Sequence, residues 1–293
     1  IVMALILGLA IGFFHGILLT KFKITPFVVT LAGSFTYRGF CLLFLKGATL
    51  SPLHPGLQQM AKGYVLPSVM IGNINVLILV LFVLVAIFLF FSEKNKRKNK
   101  INYDEEVGSI WGSIFKTVLI LLILGLVLYN FNAYKGLPIS TLIVGIIVVI
   151  YSFISKHTVL GRQVYAVGGN RKAAELSGVN ANKIMFIVYV NSAILAALAG
   201  VFVSGYLNAS STNAGDGYQM DAIAACYIGG ASGAGGTGSI MGAMVGTMAL
   251  AILNNGMTLL GIGSDYQQVI KGLILLIAVA YDVYSRSKST VAA

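Results

Sequence analysis

From Val76 to Phe91 the chain runs sixteen residues without a single charge. Similar apolar runs recur along its 293 residues. Such runs need a solvent that is itself apolar, and this restricts the fold more than any other feature. Charged residues make up only 10% of the chain and apolar residues 57%, where soluble domains carry about a quarter charged residues. Too few charges remain to coat a globule of 31.0 kDa, and the mean hydropathy is +0.88. A soluble enzyme, a disordered chain and a secreted disulfide scaffold are all excluded. The expected fold class is all-α, a polytopic transmembrane helix bundle.

A bilayer core about 30 Å thick requires about 20 apolar residues per helix. By that ruler about eight full spans are expected, over 1–20, 25–45, 74–91, 111–131, 137–155, 183–206, 239–260 and 266–284. A ninth apolar piece, 221–231, has only eleven residues. It is too short to cross as one helix and is expected to be a broken or re-entrant segment. Such backbone is tolerated only where protein or a water-filled cavity surrounds it.

The net charge of +11 does not point to nucleic acid, because its distribution follows the spans. Placing the 92–110 loop on the cytoplasmic side and alternating gives that side Lys21, Lys23, Lys94, Lys96, Arg97, Lys98, Lys100, Lys156, Arg162, Arg171, Lys172, Lys183, Arg286 and Lys288. The outside receives Lys46, Lys62 and Lys135. Fourteen against three is the positive-inside bias of a membrane protein, and it puts the C-terminus in the cytoplasm. The count requires 221–231 to cross in some form. The outer loop 46–67 is expected to fold over the mouth, and 93–106 to be a solvated charge run. The first residue lies within an apolar run with no basic leader, so it reads as a truncation point with spans expected upstream.

Catalytic and metal constellations fail. The three histidines, His15, His54 and His157, lie in separate segments, and no H-E-x-x-H or C-x-x-C pattern occurs, so no metal site is expected. No Gly-Lys dipeptide exists, and therefore no Walker A loop. If ATP drives this protein, a separate subunit binds it, and no cofactor is expected here. Gly233 to Gly238 satisfies G-x-G-x-x-G, but it follows a short apolar membrane segment rather than a parallel strand. Its glycines read better as places where a helix breaks and helices touch. Gly238, Gly242 and Gly246 then recur every four residues as a small-xxx-small face, and with Gly229 and Gly230 they form a candidate hinge and packing set.

None of the nine acidic residues sits at the middle of an expected span. Carriers coupled to protons or ions bury such groups along their path. The interior offers neutral amides and hydroxyls instead, and Ser34, Tyr37, Asn191, Asn254 and Asn255 are the candidate path residues. Such groups suit a neutral polyhydroxylated solute better than an ion. Hydrogen bonding between helices is an equal alternative for any single one.

The inner loop 156–182 carries the strongest signal. It reads G-R-x-x-Y-A-V-G-G-N-x-x-A-A-x-L-S-G-V from Gly161 to Val179. Asn170 is a good N-cap, residues 173–177 are expected to form a short helix with small Ala173 and Ala174 on its side, and Gly178 ends it. This stretch is similar to the coupling loop of the membrane permeases of bacterial ABC sugar importers, the ribose, xylose and galactose class. Residues 25–33, the segment 222–230, Leu253-Asn254-Asn255-Gly256 and Ile270-Lys271-Gly272 match the same family in order. The turn at Tyr134-Lys135-Gly136-Leu137-Pro138 and the basic inner loop look closest to its xylose-type members.

The resemblance implies one permease domain over 1–293, with 156–182 as its cytoplasmic coupling loop. It implies a second permease copy, identical or paralogous, two cytoplasmic ABC ATPase subunits, and an extracytoplasmic sugar-binding protein. Arg162, Gly168, Gly169, Asn170, Ala173, Ala174, Ser177 and Gly178 would belong to the element that docks in the ATPase. The function so implied is import of a neutral monosaccharide, a pentose such as D-xylose, across the bacterial cytoplasmic membrane, by a chain that is not itself an enzyme. An ion-coupled secondary sugar carrier and a membrane enzyme acting on lipid-linked sugars are the alternatives.

Overall fold

The apolar runs are helices in the computed structural model, which describes residues 1–65, 70–71, 74–102, 110–134 and 136–291. In chain order the helices are α1 (Val2–Thr20), α2 (Pro26–Leu45), α3 (Pro55–Lys62), α4 (Val76–Asn102), α5 (Ile110–Tyr134), α6 (Ile139–His157), α7 (Val159–Gly169), α8 (Arg171–Leu176), α9 (Ala181–Leu207), α10 (Tyr218–Ile228), α11 (Ile240–Leu259) and α12 (Ser264–Val291). The only strands among the described residues are β1 (Met70–Ile71) and β2 (Ile74–Asn75), an antiparallel hairpin with Met70 opposite Asn75.

Seven helices are long and apolar enough to cross a bilayer. They coincide with seven of the eight expected spans. The remaining one, expected over 74–91, falls on α4 and gives a shorter apolar stretch, Val76–Ile87. Ile74 and Asn75 at its expected start pair in the hairpin instead. The charge run after it continues α4 as helix to Asn102. Its later residues Asp104, Glu105 and Glu106 lie outside the described residues, as do Lys135 and the end of the expected outer loop, Leu66 and Pro67.

The chain divides into two compact units, residues 1–57 with 144–293, and residues 58–143. In the larger unit the main contact is α1 on α9, made possible by three glycines one turn apart. Gly8, Gly12 and Gly16 are buried. A Cβ at Gly8 would lie 2.6 Å from the Ala197 Cβ, and one at Gly12 would lie 2.8 Å from the Val190 Cα. Gly16 takes the Phe186 ring in the same way. A second cluster joins Ala224 and Ala225 of α10 to Leu250 of α11, with Ile274 and Leu275 of α12 packed against them.

Residues that follow α2 are tied to those that follow α9. Leu50 and Ser210 exchange backbone hydrogen bonds of 2.9 and 3.0 Å, and the Leu53 N–H donates to Asn208 Oδ1 at 3.1 Å. Arg38 reaches Asp216 at 3.1 Å and donates to Asn213 Oδ1. In the smaller unit Asn75 is fully buried. Its backbone N–H donates to Asn132 Oδ1 at 2.8 Å, and its own Oδ1 accepts from the Leu77 N–H, which caps the start of α4. Large apolar side chains such as Phe44, Val149 and Ile252 stand exposed along the spans, the surface that lipid covers.

Candidate functional site

The inner loop folds as two short helices rather than one. Thr158 caps α7, its hydroxyl oxygen accepting from the Gly161 N–H at 3.2 Å. Gly161 is buried where a Cβ would overlap the Ile154 and Ser155 carbonyls, so the chain turns out of α6 without a gap. Asn170 then caps α8 by accepting from the Ala173 N–H at 3.0 Å. Ser177 returns a hydrogen bond to the Ala173 carbonyl, and Gly178, at φ +85°, ends the helix in the left-handed region. Asn180 caps α9 at once, accepting from the Lys183 N–H at 3.0 Å. Three side-chain caps within 23 residues (158 to 180), each of about 1 kcal/mol, make a loop of this size rigid.

Six residues cannot hold a helix in place by packing alone, and Arg171 supplies the rest. Its guanidinium pairs with Glu175 at 3.0 Å along α8 and donates to Asn182 Oδ1 at 2.6 Å and to Met185 Sδ at 3.3 Å on α9. Ala174 is buried against the chain itself. The outward face is Lys172, Ala173, Glu175, Leu176 and Ser177, with the Leu176 side chain 90% exposed. Arg162 is exposed on α7.

The other end of α7 meets the glycine-rich segment. A Cβ on Gly168 would lie 2.8 Å from the Gly236 nitrogen, and one on Gly236 would lie 2.6 Å from the Gly169 Cα. Backbone therefore lies on backbone, which only glycine on both sides allows. The Tyr165 hydroxyl donates to the Gly238 carbonyl at 2.9 Å. Ser232 donates to Asp282 Oδ2 of α12 at 2.6 Å, so the segment 232–238 is clasped by α7 and α12 together.

That segment is the break between α10 and α11. The short apolar piece expected over 221–231 is helical only to Ile228, with Gly229 as its C-cap and Gly230 at φ +81°. The chain reverses, and Ser239 caps α11 by accepting from the Gly242 N–H at 3.0 Å. Gly242 faces Gly229 and Gly246 faces the Ala225 carbonyl so closely that a Cβ at either would overlap backbone. Gly238 lies on Ala231. The hinge and packing glycines thus form one seam that runs from the broken helix into the clasp.

The candidate path residues do not converge. The Ser34 hydroxyl donates to the Leu31 carbonyl of its own helix. Tyr37 and His15 Nε2 share a 2.9 Å hydrogen bond between α2 and α1, and Gly33 makes room for the His15 ring. Asn191 accepts from the Tyr151 hydroxyl of α6. Asn255 is exposed, while Asn254 is partly buried and its Oδ1 has no partner among the described residues. Three of the five are engaged in hydrogen bonds within or between helices, and Asn254 alone turns an unspent acceptor inward.

Sequence reading passed over several residues that matter here. Arg171 was legible only as a positive charge, and Tyr165 only as part of a motif. The Gly8, Gly12 and Gly16 spacing is a plain small-xxx-small signal in the first span. The pair Asp221 and Lys271, 2.8 Å apart between α10 and α12, lies fifty residues apart in sequence, and no local pattern announces it.

Seven helices of spanning length, with a capped elbow seated on the break between α10 and α11, define a polytopic membrane protein. The chain belongs to the family described as branched-chain amino acid transport system / permease component, which matches residues 1–279. It is 35% identical over 290 residues to the xylose transport system permease protein of Haemophilus influenzae, covering 98% of this chain and 75% of that protein. It is 33% identical over 292 residues to the protein of the same description from Escherichia coli K12, covering 99% and 72%. The ribose import permease protein of Escherichia coli K12 matches at 46% identity over 147 residues, half of this chain and 46% of that protein. No solved structure matches. The chain is thus a sugar ABC transporter permease, a multi-pass inner-membrane transport component and not an enzyme.

Proposed function

We propose that this chain imports a pentose, D-xylose first among them, driven by separate ATPase subunits that dock on α8. An extracytoplasmic sugar-binding protein would deliver the cargo to a pair of permeases. The single observation that carries this reading is the elbow: α8 is fixed on the start of α9 by its cap and by Arg171, and α7 bears on the glycine clasp at the break of α10. A push on α8 therefore has a short route to a helix that is already interrupted, a suitable two-state element. The exposed Leu176 is the apolar side chain a partner groove would take. The basic residues counted above support placing the elbow and the C-terminus in the cytoplasm.

The Asp221–Lys271 pair favours a second reading, an ion-coupled sugar carrier, because ionisable groups in spans mark ion paths. Each charge there is already neutralised by the other, and this speaks against a free coupling carboxylate. Uptake of labelled xylose and ribose into cells lacking their own systems, with and without the ATPase and the binding protein, separates the two. Uptake that requires the ATPase supports the importer; concentrative uptake by the permease alone overturns it.

A further inference from the structure

The smaller unit carries a groove of about 440 Å³ between α4 and α5, which the transport reading above does not use. The pairing of the two helices sets its level. Phe82 of α4 lies against Gly125 of α5, where a Cβ would be 3.6 Å from the ring. Twelve residues onward in α4 and twelve back in α5 stand Lys94 and Ser113, and both line the groove. Glu93 lines it beside them. The other end is apolar, with Phe90 on α4 and Val118 and Leu121 on α5. Phe90 and Val118 are exposed, so the groove opens on the lipid-facing surface.

This gradient from polar to apolar follows the membrane. Glu93 and Lys94 are the first charges after the apolar run that ends at Phe91. Ser113 is the second residue of Gly112–Asn132, a stretch long and apolar enough to cross a bilayer. The polar end therefore sits at the level of lipid headgroups and the apolar end among acyl chains. Pockets with basic residues between spans at that level hold phospholipid headgroups. The signs of the charges narrow the choice. Basic residues over 94–100 attract anionic lipid to the neighbouring surface, but the groove itself is lined by one acid and one base. Neither is in an ion pair among the described residues. A headgroup with net negative charge would meet Lys94 and be repelled by Glu93. One that carries both a phosphate and a primary ammonium satisfies the two together. Thr117 gives its hydroxyl proton to the Ser113 carbonyl at 3.0 Å, so Ser113 is the neutral donor left in the groove.

We propose that this groove binds a phospholipid whose headgroup joins a phosphate to a primary ammonium, as in phosphatidylethanolamine. Lys94 and the Ser113 hydroxyl donate to the phosphate oxygens, and Glu93 accepts from the ammonium. One acyl chain lies along Phe90, Val118 and Leu121. The lipid fills the opening between α4 and α5 in the leaflet that borders residues 92–110. Phosphatidylcholine has no N–H to give Glu93, and phosphatidylglycerol brings no positive charge, so both bind more weakly.

Native mass spectrometry of the delipidated full-length permease tests this, with the dioleoyl forms of these three lipids added in turn. The first ethanolamine lipid is expected to bind about fivefold more tightly than either of the others. Glu93→Gln should erase its advantage over the choline lipid, and Glu93→Asp should keep it. Lys94→Gln should weaken all three about fivefold, because all share the phosphate. Val118→Trp fills the groove and should remove the tight first binding event while the gel-filtration profile stays that of the wild type. Equal affinity of the wild type for the ethanolamine and choline lipids would overturn the site, as would an advantage that survives Glu93→Gln or Val118→Trp. Tightest binding of the glycerol lipid would overturn it too, because the basic run alone explains that result.

Discussion

The molecule uses the same glycine spacing twice, and the two uses differ in what lies opposite. Along α1, Gly8, Gly12 and Gly16 meet the side chains of Ala193, Ala197 and Phe186 and the backbone of Val190 on an unbroken helix of 27 residues. Along α11, Gly242 and Gly246 meet bare backbone at Gly229 and Ala225, on a helix that ends there. The first seam is knobs and sockets, with side chains on one partner that fix its register. The second has no side chain to hold it at the contact and borders a run of positive-φ glycines, Gly230, Gly235, Gly236 and Gly238. Small residues permit close approach in both places; whether the contact is a weld or a joint depends on the neighbour.

Five tests, with six substitutions between them, sharpen or break that contrast. Gly242→Leu should have the largest effect, with uptake falling to background while the protein still inserts, because its side chain would enter the Gly229 backbone. Transport surviving that change would end the idea of a joint. Gly12→Leu should act on the weld instead. It should destabilise by about 3 kcal/mol, read as lower yield and lower Tm in detergent, with uptake per folded molecule within about twofold of wild type. Leu176→Asp should reduce uptake about tenfold and abolish co-purification of the ATPase at unchanged permease level. An ATPase that still co-purifies would remove α8 from the interface. Arg171→Ala loosens the seat of α8 and should cost about two- to threefold in uptake, since its contacts are exposed ones. The smallest test compares two tyrosines. Tyr165→Phe and Tyr37→Phe each remove one hydrogen bond, about 1 kcal/mol. The first should slow uptake and the second should lower only thermal stability; equal slowing by both would erase the distinction between the two regions.

Span positions were legible because the rule behind them is local. About 20 apolar residues in a row can do little else, and seven of the expected spans are helices long enough to cross. The caps at Asn170 and the stop at Gly178 were equally readable, since a side-chain oxygen three residues before an N–H, or a glycine at φ +85°, needs no distant partner. The helix α7 was not read, because Gly161, Gly168, Gly169 and three valines give it poor intrinsic propensity. It forms because Thr158 caps it and because the glycine segment 232–238 takes its far end. Ala174 was expected in the docking element from its small size and from the family resemblance; in the fold it is buried, and Leu176 stands outside.

What the chain alone decided is its solvent and its rhythm: apolar runs of spanning length, one run too short to span, and basic residues gathered in alternate loops. Those follow from composition and spacing, which water and lipid act on residue by residue. Which glycine meets which carbonyl, that Lys271 finds Asp221 across fifty residues, and that Asn254 keeps a buried oxygen unspent were decided only when the helices packed. Contacts between distant segments depend on register and crossing angle, and no local pattern encodes either.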